Sequence, residues 1–72
     1  MSISEHLFSA LVLKYESEIQ ECRATLMIYF SNSVGIGEHP QQLEEMDKLV
    51  ARMADSESKL EILKKEKPNL VR

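Results

Sequence analysis

A chain of 72 residues, 43% hydrophobic and 29% charged, has room for one folded domain and is too apolar to remain disordered. Its net charge of −3 argues against a general nucleic-acid binder, which needs a basic surface. One cysteine excludes an internal disulfide, and the two histidines, His6 and His39, stand too far apart to anchor a metal cluster.

Ser2-Ile3-Ser4-Glu5 has the form of a capping box, so a first helix is predicted to start near Ile3. From there Phe8, Val12, Tyr15, Ile19, Cys22, Leu26 and Tyr29 recur at alternating spacings of four and three. That period describes one apolar stripe sustained along an unbroken helix, over about residues 3–32. Leu7, Leu11 and Leu13 flank the early part of the stripe, and Met27, Ile28 and Phe30 the late part.

The reversal is predicted over about 33–39, where Gly35 and Gly37 supply the concentrated turn signal. Pro40 suits the first position of a second helix, and Glu44, Glu45 and Asp47 suit its positive end. This helix, over about 40–67, carries Met46, Leu49, Met53, Ser56, Leu60 and Leu63 as its stripe, widened by Leu43 and Val50. Glu44 with Lys48, Asp55 with Lys59 and Glu61 with Lys65 are spaced for ion pairs on the solvated face. Pro68 is expected to end the helix, leaving 68–72 as a loose tail.

Two helices of about 28 residues, roughly 42 Å each, joined by a short reversal make an antiparallel, coiled-coil-like hairpin. Counting outward from the loop sets Tyr15 against Ser56 and Cys22 against Val50. The small Ser56 is then expected to make room for the Tyr15 ring and its hydroxyl.

A domain of this size buries only about 60% of the surface its unfolded chain exposes. With disulfide and metal set aside, oligomerisation is left as the source of stability. One partner helix cannot cover both the stripe and the flanks of helix 1. The expectation is therefore a homo-oligomer, a dimer first, in which two hairpins form a four-helix bundle with helix 1 more buried than helix 2. The self-association surface is predicted at Leu7, Phe8, Leu11, Met27 and Phe30. A different protein supplying the missing helices is the alternative partner.

The longest apolar runs, Leu7 to Leu13 and Leu26 to Phe30, fall short of the roughly 20 residues that cross a bilayer. The acidic middle of helix 1 does not suit a membrane surface either. Glu5 stands where a signal peptide would carry positive charge, so no secretion is expected and the location predicted is cytoplasmic.

No catalytic constellation, metal site or cofactor motif emerges, and the chain is read as a non-enzyme. Cys22 lies on the inner stripe with neither histidine near it, as an inert buried thiol would. Gly35-Ile36-Gly37 lacks the third glycine and preceding strand of a dinucleotide loop. Gly35, Gly37, Glu38 and His39, beside a helix start, form the one candidate recognition site for a small molecule or anion. A polar loop is the plainer account of the same residues.

Met27-Ile28-Tyr29-Phe30, Val34-Gly35-Ile36-Gly37-Glu38-His39-Pro40 and Leu43-Glu44-Glu45-Met46-Asp47 resemble a group of small helical proteins encoded by tailed marine bacteriophages and found in ocean metagenomes. The resemblance runs from Tyr15 to Leu63 and departs from the group at Ser33, where a proline is frequent. The group has no assigned activity. The resemblance implies a phage context, in the cytoplasm of an infected host cell, and carries over no functional residue.

Overall fold

The computed structural model describes residues 1–31 and 41–72, Gln41 by its backbone alone. Two helices, α1 (Ile3–Ser31) and α2 (Gln41–Leu70), pack against each other along their length. Among the described residues there is no strand.

The capping box closes as its sequence predicts. The Glu5 backbone N–H donates to Ser2 Oγ at 3.2 Å, and the Ser2 N–H donates to Glu5 Oε1 at 3.0 Å. Two of the backbone donors left over at a helix start are satisfied in this way. The Ser2 N–H foremost, and the Ser2 hydroxyl after it, hold the Glu5 carboxyl below its ordinary pKa.

Every member of the α1 stripe from Phe8 to Tyr29 is buried or half-buried, as is every member of the α2 stripe from Met46 to Leu63. Ile19, Cys22, Ser56 and Leu63 are the most enclosed. Leu43 and Val50 do not widen this seam; both point to solvent.

The helices run antiparallel. Glu21 lies 3.9 Å from Arg52, Ser56 meets Glu18, the Lys59 ammonium sits 5.3 Å from the centre of the Tyr15 ring, and Ser4 meets Arg72. This register differs from the one counted out from the loop. Tyr15 faces Lys59, about one turn beyond Ser56, and the exposed Val50 does not cover Cys22. The Ser56 hydroxyl serves Glu18, not Tyr15, donating to Oε2 at 2.9 Å. The physical reason is that a helical stripe presents nearly the same face every three or four residues, so counting alone leaves neighbouring registers open. Specific polar partners then decide between them.

The C-terminal end also departs from expectation. Helix α2 runs to Leu70 with Pro68 inside its last turn. Proline lacks the N–H that would reach the Lys64 carbonyl, yet the Val71 N–H still donates to the Lys67 carbonyl at 2.9 Å. The end is not a loose tail. Ser4 Oγ donates to the Arg72 carbonyl and accepts from the Arg72 N–H, both at 2.8 Å. That double contact ties the last residue to the first turn of α1 and offsets the cost of a proline in the turn before it.

Candidate interaction surface

The hairpin is 53 Å long and 17 by 13 Å across, with a radius of gyration of 16.3 Å, against about 11 Å for a compact domain of this length. Among the described residues, a body two helices wide has one seam and no second layer. Its accessible surface is 5572 Å², whereas a compact monomer of 8.3 kDa exposes about 4,600 Å². The difference, about 1,000 Å², exceeds the roughly 800 Å² that one partner contributes to a standard protein interface.

Several large apolar side chains stand in the exposed surface. Leu7 is 62% exposed, Leu11 39%, Met27 64% and Phe30 72%. Phe8, grouped with them by sequence, belongs instead to the seam. It is half-buried, and the Lys67 ammonium lies 5.4 Å from its ring centre, a cation–π contact at the open end of the hairpin.

The four exposed side chains do not form one patch. Leu7 and Leu11 immediately precede the seam residues Phe8 and Val12, whereas Met27 and Phe30 immediately follow Leu26 and Tyr29. At about 100° per residue the first pair lies on one flank of α1 and the second on the other. Glu21 and Arg52, which precede Cys22 and Met53, come within 3.9 Å of each other, so residues preceding the seam share one flank across both helices. Along the axis, the sixteen positions from Leu11 to Met27 amount to about 24 Å.

On the first flank, at the open end, Ser4, Leu7, Phe8, Leu11, Leu63 and Leu70 line a groove of about 210 Å³ that is apolar almost throughout. A second hollow of about 120 Å³, bounded by Met1, Glu5, Phe8, Ser9, Lys67 and Val71, is more polar. The groove needs Leu70 and was hidden from sequence reasoning, which stopped the helix before Pro68. On the second flank, Leu43 and Val50 follow Gln42 and Leu49 and join the side of Met27 and Phe30.

Charge is spent locally over the middle of the hairpin. Lys59 pairs with Asp55 at 2.9 Å, and that partner, through its hydrogen bond first and its charge second, raises the lysine pKa above its ordinary value. Lys48 pairs with Glu45 at 3.3 Å, not with the Glu44 expected four residues back, and Glu61 with Lys65 does not appear among the ion pairs of the described residues. All of these are solvated contacts worth little individually.

Cys22 is fully enclosed, as its stripe position predicts. His6 is exposed in the first turns of α1. Among the described residues no three histidine, cysteine or acidic side chains converge as metal ligands. The loop candidates Gly35, Gly37, Glu38 and His39 lie outside the described residues. Among the described residues, no helix is long and apolar enough to cross a membrane. Comparisons with protein families, curated proteins and solved structures found no match.

Proposed function

We infer that this chain is a self-associating helical protein that works through protein–protein contact rather than catalysis. The observation that carries the reading is the surplus of about 1,000 Å² of accessible surface over a compact monomer, with exposed leucines, methionine and phenylalanine on both flanks of α1. Two hairpins docked as a four-helix bundle, with coiled-coil-like packing between them, would remove that surface from water and supply the second layer a single hairpin lacks.

The phage resemblance supports a role during infection or assembly in the host cytoplasm. There the homodimer would be the working unit, and any apolar flank left open after dimerisation would receive a second protein.

Light scattering on the whole chain over a hundredfold range of concentration tests the reading. A mass of twice 8.3 kDa, or a higher multiple, is the expected result. A constant monomer mass at every concentration removes self-association and leaves the flanks of α1 to a different protein.

A further inference from the structure

Between its first flank and the face opposite the seam, α1 carries a second stripe at the same alternating spacing of three and four: Leu7, Ala10, Lys14, Ser17, Glu21, Ala24 and Ile28. All seven are exposed in the hairpin. Read from either end, the order is apolar, small, charged, small, charged, small, apolar, and the two charges have opposite sign.

Resting on the self-association reading above, we propose that this stripe is the dimer interface, and that its occupant is the same stripe of a second copy, antiparallel about a two-fold axis at Ser17. In that arrangement Leu7 meets the second copy's Ile28, Ala10 meets Ala24, and Lys14 meets Glu21. Each contact occurs twice, as a two-fold interface requires. Charge decides the orientation: a parallel pairing would set Lys14 on Lys14 and Glu21 on Glu21, and like charges in register are costly.

Both charged groups are free to serve. Lys14 makes no ion pair among the described residues, and Glu21 has only the long, solvated 3.9 Å contact with Arg52. The exposed Leu7 and Ile28 contribute apolar area at the two ends, while Ala10, Ser17 and Ala24 let the backbones approach. The packing of α1 on α1 also follows the surface surplus, since about 800 Å² per partner is what a standard interface removes.

The test uses the full chain with Lys14→Glu, Glu21→Lys and the double exchange. Dissociation constants come from sedimentation equilibrium, with circular dichroism confirming the fold of each. Either single reversal should weaken the dimer about tenfold or more, and the double exchange should restore it to within about threefold. In a Cys22→Ala background, Ser17→Cys should form a disulfide-linked dimer under mild oxidation, and Ser58→Cys on the outer side of α2 should not. A wild-type dimer that ignores the reversals, or whose Ser17→Cys form stays unlinked, overturns this arrangement while self-association through another face survives. A wild-type monomer throughout overturns both.

Discussion

The inner faces of the two helices are alike, each a stripe of half-buried side chains, but their outer faces are not. Along the outer side of α2, Glu44, Lys48, Ala51, Asp55, Ser58, Ile62 and Lys65 alternate sign and size, and the Lys48–Glu45 and Lys59–Asp55 pairs form within that helix. The corresponding positions of α1 hold Leu7 and Ile28 at the ends and only Lys14 and Glu21 as charges. Helix α2 has an outer surface suited to water, with Lys48 and Asp55 answered within the helix. Helix α1 has fewer charges there and larger apolar ends, with Lys14 in no ion pair among the described residues and Glu21 only in its long contact with Arg52.

The contrast between the inner and outer faces can be broken most forcefully at Ile19, among the most enclosed side chains of the seam. Ile19→Ala should destabilise the protein by about 2–5 kcal/mol, whereas Ile62→Ala, on an exposed side chain of α2, should stay within about 0.5 kcal/mol. Urea titration of both variants compares them directly, and equal losses would mean that the seam is not the core.

The polar joint in the seam gives a smaller effect with an informative pair of variants. Ser56 is fully enclosed and donates to Glu18, so Ser56→Ala should cost about 0.5–1.5 kcal/mol through the lost hydrogen bond. Ser56→Leu should cost more, about 1–3 kcal/mol, by overpacking a site matched to a small residue. If the leucine were the more stable variant, the seam would hold unfilled space at Ser56 and the register described above would be wrong.

The smallest effect lies at the helix start. The pKa of Glu5 is depressed in the folded chain by the Ser2 contacts. Its contribution is therefore present above the ordinary carboxylate pKa and is lost as pH falls through and below that range. An NMR titration should show Glu5 titrating below the ordinary carboxylate value. In Ser2→Ala the depression should shrink but not vanish, because the Ser2 hydroxyl no longer donates to the Glu5 carboxylate while the backbone N–H of residue 2 still does.

Much of this architecture is legible in the residues. The capping box, the single long stripe of α1 and the concealed position of Cys22 follow from local chemistry and helical period, which act within a few residues of one another. The relative sliding of the helices does not. Stripes that repeat every turn fit almost equally well one turn apart, and the choice rests on contacts between residues far apart in sequence, such as Glu18 with Ser56 and Tyr15 with Lys59.

Pro68 misleads for a related reason. Its local cost in a helix is real, but the Ser4 clasp on Arg72, 68 positions away, holds the turn in place. The same long-range effect hid the Leu63–Leu70 groove, whereas the split of Leu7 and Leu11 from Met27 and Phe30 is local. Which flank a residue takes depends on whether it precedes or follows a seam position.

The most direct test of self-association as the source of stability is thermal unfolding at several protein concentrations, followed by the helical signal. A folded state held together between copies gains stability by mass action, so the account predicts a Tm that rises steadily with concentration and helicity that falls on dilution. A Tm and helicity independent of concentration would show that one hairpin is stable alone, and would contradict it.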